Sequence, residues 1–135
     1  MSFKDYFSEQ ATTYALARPH YPESLFEFIV SHCDGRDLAW DAATGNGQTA
    51  TALASRFQSV VACDGSASQI GAAVNLPNIE YRVATAEEMK LAPSSVDLVT
   101  VSQALHWFDR PRFFAVLEQV LKPRGILAVW SYGIH

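Results

Sequence analysis

The chain has 135 residues, 49% of them hydrophobic and 18% charged, a size and composition that suit one folded domain and exclude a disordered chain. Ten Lys and Arg against fourteen Asp and Glu leave a net charge of −4 with no basic cluster, so neither DNA nor RNA is an expected partner. No apolar run approaches the ~20 residues of a membrane span, and Met1-Ser2-Phe3-Lys4-Asp5 lacks the apolar stretch of a signal peptide; a cytoplasmic protein that contacts no membrane is expected.

Residues 1–36 are helical in pattern and rich in aromatics. Phe3, Phe7, Ala11 and Tyr14 recur at helical spacing and predict an amphipathic helix over 3–16. Arg18-Pro19-His20-Tyr21-Pro22 breaks it, because each proline pushes its predecessor out of the helical region. Pro22 then opens a second helix, with Leu25, Phe26, Ile29 and Val30 on one face and Asp34-Gly35 as its stop. From residue 37 onward short apolar runs alternate with helical patterns. Leu38–Asp41, Val60–Cys63, Ile79–Val83, Val96–Val101 and Ile126–Trp130 are the strand candidates. Helices are expected at 48–56, 66–74 and 113–121, the last stopped by Lys122-Pro123-Arg124-Gly125. This alternation predicts parallel βαβ units in a single domain, with 37–135 as its core. Cys33 and Cys63 do not form a C-x-x-C pair and read as reduced thiols of a cytosolic protein. His20, His32, His106 and His135 are scattered without ligand spacing, so no metal is assigned.

The most informative stretch is Asp41-Ala42-Ala43-Thr44-Gly45-Asn46-Gly47-Gln48-Thr49-Ala50, between a predicted strand and a predicted helix. Gly45 and Gly47 remove side chains where a ligand must approach the backbone and allow positive φ. The helix start offers N–H groups to a polar or anionic ligand group. Gly45-x-Gly47-x-x-Ala50 also fits a dinucleotide fingerprint; a tight turn without a ligand gives the same pattern. Asp64 stands at the end of the second strand, nineteen residues after Gly45. There a carboxylate can accept both hydroxyls of a ribose, or cap the helix that follows. Asp41 argues against a pyrophosphate. An acid four residues before the first glycine suits a cationic ligand such as a sulfonium or ammonium, or else only braces the loop. The absence of G-x-S-x-G and G-x-x-x-x-G-K-[ST] patterns disfavours a serine hydrolase and a P-loop ATPase.

Taken together these blocks resemble the class I S-adenosylmethionine-dependent methyltransferases, specifically the type-11 family and its embryo-abundant and trans-aconitate-methyltransferase-like branch. The resemblance rests on Leu38 to Gln48, Gln103-Ala104-Leu105-His106-Trp107-Phe108-Asp109, Arg18-Pro19-His20-Tyr21-Pro22 and Leu121 to Leu127, and runs from about Phe7 to Tyr132. It implies a Rossmann-like, doubly wound parallel sheet of order 3-2-1-4-5 in a three-layer αβα sandwich. The family's antiparallel strands 6 and 7 find no counterpart in this sequence, so the chain resembles an N-terminal portion with the acceptor pocket incomplete. Two departures stand out: Ala43 replaces a common loop glycine, and Thr85 replaces the Asp that often precedes the family's Ala-Glu pair.

The resemblance further implies S-adenosylmethionine as cofactor, S-adenosylhomocysteine as product and a small-molecule acceptor. The expected contacts are Asp41, Ala43, Thr44, Gly45, Asn46 and Gly47 in the loop, Asp64 and Gly65 after the second strand, Thr85, Ala86 and Glu87 near the adenine, and Gln103 and Ala104 after the fourth strand. Tyr14 and Arg18 are candidates for a lid over the cofactor. His106 is the candidate general base, with packing beside Trp107 as its other reading. Two rival readings stay open: a fragment of an NAD-dependent oxidoreductase, and a non-catalytic cofactor-binding or dimerising module. Ile126, Leu127, Val129 and Trp130, with no lysine or proline among them, predict an edge strand that a second copy could pair.

Overall fold

The computed structural model describes residues 21–102 and 104–131, and of His106 the backbone only. The helix expected at 3–16, with Tyr14 and Arg18, lies outside the described residues, as does Gln103.

Helix α1 spans Glu23–Ser31, with Pro22 as the residue before its first turn. It buries Phe26, Ile29 and Val30, three of the four residues expected on its inner face. There follow β1 (Leu38–Ala42), α2 (Gln48–Ala54), β2 (Ser59–Asp64), α3 (Ala67–Ala72), β3 (Ile79–Val83), β4 (Val96–Ser102), α4 (Arg110–Val120) and β5 (Leu121–Trp130). Short 3-10 turns at Ala86–Glu88 and Leu105–Trp107 follow β3 and β4. All five strands run parallel in the order β3-β2-β1-β4-β5, the expected order.

The period-2 alternation of the strands divides the core into two faces. Ala39, Val60, Ala62 and Leu98 meet Phe26, Ile29 and Val30 of α1 and Ala50 and Leu53 of α2. Trp40, Ala42, Val61, Cys63, Val99 and Val101 meet Phe113, Leu117 and Val120 of α4. Central strands buried on both sides explain the near-continuous apolar runs at 60–63 and 98–101. Trp40 is fully buried, and its indole Nε1 donates to Cys63 Sγ at 3.3 Å.

Several boundaries differ from the sequence reading, most of all in four elements. Helices α2 and α3 are shorter, and Ser66 caps α3 through a bond from the Gln69 N–H at 3.3 Å. Helix α4 begins three residues before Phe113, because Asp109 accepts the Arg112 N–H at 3.3 Å and a proline sits in the first turn. Strand β5 begins at Leu121 and not at Ile126. Leu121 pairs with Val96 and Ile126 with Leu98, so 122–125 bulge outward between the two registers. The edge therefore does carry a lysine and a proline in its first half, Lys122 and Pro123, which blunts it there. Lys122 anchors the bulge on Asp37 at 2.9 Å and Asp97 at 3.0 Å.

Beyond the bulge, β5 is covered on one face by α1. Tyr21, Phe26 and Trp130 form an edge-to-face triad with ring centroids 5.7–6.4 Å apart. A groove of about 330 Å³ runs between Leu25, Phe28, Ile29 and His32 of this segment and Ile126–Trp130. It lies at the β5 edge, away from the carboxyl ends of β1, β2 and β3.

Candidate cofactor site

Parallel pairing brings the ends of β1, β2 and β3 side by side, with Ala42 beside Cys63 and Asp64 beside Val83. The loop 43–47 leaves β1 at this point. Its Thr44 N–H donates to the Cys63 carbonyl at 2.7 Å, and its Gly47 N–H to the Thr44 carbonyl at 3.0 Å. Three of its five residues have left-handed backbones: Ala43 (φ 60), Gly45 (φ 59) and Gly47 (φ 86). Glycine adopts this conformation freely, whereas an alanine there is strained by about 1–2 kcal/mol. Ala43, the departure noted in the sequence, thus occupies a position whose geometry favours glycine.

The two glycines serve different ends. A Cβ on Gly45 would meet nothing within 4 Å, so this backbone faces open space. A Cβ on Gly47 would lie 2.5 Å from Tyr81 Oη and 3.2 Å from Ala73 Cβ. Gly45 is the position where a ligand can approach the chain; Gly47 lets β3 and the end of α3 close against the loop. Asn46, between them, is exposed.

Asp64 ties the loop to β2. Its Oδ2 accepts the Gly45 N–H and its Oδ1 the Ser66 N–H, each at 2.9 Å. Because Ser66 supplies the helix cap, Asp64 remains aimed at the loop. Each of its oxygens keeps a lone pair beyond the single N–H bond. Gly65 lies beside Thr85, with a built Cβ 3.5 Å from Thr85 Cγ2. Thr85, Ala86 and Glu87 therefore border the same crevice. The Thr85 hydroxyl donates to Glu88 Oε1 at 2.7 Å, and this bond with a Thr85 backbone contact holds the Glu88 carboxyl below its usual range. Glu87 Oε2 accepts the Asp109 N–H at 3.2 Å, joining this turn to the start of α4. Ala104 follows β4 and caps the turn Leu105–Trp107 with its carbonyl, which accepts the Trp107 N–H at 2.9 Å. The backbone of His106 lies in that turn; its side chain lies outside the described residues.

Of the two readings that the sequence allows for Asp41, the structure shows the features of a brace beneath the loop. Asp41 is 0% exposed. The Thr44 hydroxyl donates to its Oδ2 at 2.6 Å and the Thr100 hydroxyl to its Oδ1 at 2.8 Å. Burial, eased by those two bonds and reinforced by the charge of Asp64, pushes its carboxyl up to about 6. Asp41 braces the loop from beneath. Thr100 is the residue that sequence reading missed. The signal was a lone hydroxyl inside the run Val99-Thr100-Val101, in register with Asp41. Among the described residues no cluster of His, Cys, Asp or Glu is arranged to hold a metal.

Residues 40–129 match the family model described as a methyltransferase domain. The chain belongs to this methyltransferase family. A protein of Dictyostelium discoideum named as a methyltransferase is 42% identical over 98% of this chain and 51% of its own length. A solved structure from Anaeromyxobacter dehalogenans, described as a Type II methyltransferase, is 40% identical with a TM-score of 0.82, covering 86% of this chain and 49% of its own. The geranyl diphosphate C-methyltransferase of Streptomyces coelicolor, solved with Mg2+, geranyl diphosphate and S-adenosyl-L-homocysteine, shares the fold at 19% identity and a TM-score of 0.69, covering 80% of this chain and 45% of its own. The chain spans about half the length of these relatives. Membership of the family and the sheet order together place this chain among the Rossmann-like methyltransferases.

Proposed function

We propose that this chain carries the cofactor-binding part of an S-adenosylmethionine-dependent methyltransferase acting on a small-molecule acceptor. The observation that carries the reading is the meeting of Gly45, open to space, with Asp64, fixed beside it at the end of the neighbouring parallel strand. The residues fit an adenosyl group. Gly45 admits a ligand against the backbone, and the free lone pairs of Asp64 suit ribose hydroxyls, with charge-assisted bonds. Gly65, Thr85 and Ala86 border the space next to Asp64, where an adenine would continue from the ribose. When bound, the cofactor supplies a methyl group on a sulfonium, a good leaving group. The protein then has to align the acceptor at near-attack distance and exclude water. The chain's contribution is a rigid platform: Asp41 and Asp64 hold the loop from two sides, and Glu87 locks the adjoining turn to α4.

The carboxyl of Asp41 beneath the loop speaks against a pyrophosphate there, which weakens the nicotinamide-dinucleotide alternative. A calorimetric titration with S-adenosylhomocysteine and with NADH tests the reading. Binding of the first and none of the second is expected. Asp64→Ala should weaken the S-adenosylhomocysteine interaction by roughly 1–3 kcal/mol. Tight NADH binding with no response to S-adenosylhomocysteine would overturn the proposal.

A further inference from the structure

Asp41 and Thr100 hold more than the proposed cofactor role needs. Ala39 pairs with Leu98 and Asp41 with Thr100, two residues further along both strands, so the two polar side chains share one face of the sheet. Both are 0% exposed. A buried carboxylate ordinarily sits beside a cation, because losing water costs its charged form heavily. Here its hydrogen-bond partners are two neutral hydroxyls. The ionisable groups near it on β2 are Asp64 and, on the opposite face of the sheet, Cys63, whose thiol burial pushes up; on β3 it is Tyr81, whose phenol burial also pushes up. Helix α2, Gln48–Ala54, carries no ionisable residue, and β4 presents only Thr100. Among the described residues, no Lys, Arg or His bears on Asp41.

This arrangement makes the carboxyl sensitive to any positive charge that arrives above the loop. It also makes the loop sensitive to the proton. Both hydroxyls donate to the ionised form; once one oxygen carries a proton it becomes a donor, and one hydroxyl must turn round. The hydroxyl on the loop side belongs to Thr44, whose backbone closes the turn to Gly47.

We propose that Asp41 is a proton-linked positioning residue, held in its ionised orientation by Thr100, and that a cationic cofactor on the loop drives its proton to bulk solvent. This rests on the S-adenosylmethionine reading above. The balance is simple: an Asp41 O–H bond breaks, the proton leaves, and the carboxylate gains a cation nearby. With the free carboxyl titrating at about 6, affinity for S-adenosylmethionine falls as pH drops below that value, by up to about tenfold per pH unit until the bound-state value is reached. S-adenosylhomocysteine keeps the ammonium and lacks the sulfonium, so its dependence is shallower.

The test is calorimetry of the 135-residue chain with S-adenosylmethionine and S-adenosylhomocysteine between about pH 5 and about pH 8, in buffers of different ionisation enthalpy. The expected result is proton release near the midpoint and a sloping affinity profile that Asp41→Asn flattens. Thr100→Val removes one donor to the ionised form and should move the midpoint upward, while Thr100→Ser restores it. A Thr100 that only packs would change the melting temperature and leave the midpoint in place, and that result overturns the proposal. A flat wild-type profile with binding intact overturns it too and spares the cofactor reading. No heat with either ligand at any pH overturns the cofactor reading, and this inference with it. Should Thr100→Val fail to fold, the Asp41 carboxyl resonance decides by NMR. A titration in the wild type that moves downward on adding S-adenosylmethionine supports the coupling, and a resonance unmoved by the ligand overturns it.

Discussion

Replacing Ala43 by glycine should make this protein more stable, although alanine-to-glycine changes ordinarily do the opposite. Ala43 has φ 60, and a left-handed backbone costs an L-residue about 1–2 kcal/mol. Glycine removes that strain but adds freedom to the unfolded chain, worth about 0.4–1 kcal/mol in the other direction. Ala43 is half-buried, so little apolar contact is lost. The net expectation is a gain of roughly 0.5–1 kcal/mol. With a urea m-value of about 1–3 kcal/mol/M, the unfolding midpoint should rise by roughly 0.2–1 M. The neighbouring residue supplies the control. Ala42 lies in β1, is 0% exposed and packs against Trp40 and Cys63 in the core. Ala42→Gly forfeits a buried methyl and a strand residue, so it should cost about 1 kcal/mol or more. Two adjacent alanines thus give opposite signs. If Ala43→Gly lowers the midpoint as much as Ala42→Gly does, the left-handed assignment and the strain argument are both wrong.

Gly45→Ala and Gly47→Ala should separate in the same way: both pay for positive φ, but Gly45→Ala should chiefly reduce S-adenosylhomocysteine affinity, while Gly47→Ala should chiefly lower stability through its clash with Tyr81. Comparable losses of stability with unchanged affinity in calorimetry would remove Gly45 from the site. Asp41 makes stability depend on pH. Its folded value of about 6 lies above its ordinary 3.8, so the folded chain binds more protons between these values. The stabilisation is complete below the lower value and lost as pH rises through the upper one, about 3 kcal/mol for this group alone. Asp41→Asn should lack that fall in urea titrations at about pH 4.5 and about pH 7; identical profiles would refute it. Asp97 behaves in the opposite sense. Burial pushes its carboxyl up, but Lys122 and the N–H groups of Leu38 and Asp37 outweigh this and hold it below the usual range. Its contribution is therefore present above the ordinary carboxylate value and lost as pH falls through the folded one. Lys122→Met should lower the urea midpoint near neutral pH and change little once Asp97 is protonated.

Much of this protein could be read without its structure, for local reasons. Strand β3, Ile79–Val83, coincides with its predicted bounds, and the buried face of α1 follows from Phe26, Ile29 and Val30 at helical spacing. That Asp64 after β2 and the glycines after β1 lie side by side was legible, because parallel strands bring their carboxyl ends together whatever the details of packing. What the sequence could not determine is which partner each polar group would find. Thr100 lies 59 residues from Asp41, and the bond between them depends on the register of β4 against β1. That register buries Asp41 against Thr100 and supplies the second hydroxyl that the sequence alone could not assign to it. Gly47 answers to Tyr81, thirty-four residues away, which periodicity does not reveal. The start of β5 at Leu121 was hidden by Pro123 and Gly125, ordinarily turn residues; the bulge against Val96 accommodates both. Local pattern decides which segments become strands and helices, because backbone sterics and apolar spacing act within a few residues. The charge states and contacts of the site are decided by the sheet, because only tertiary packing removes water from Asp41 and chooses what replaces it.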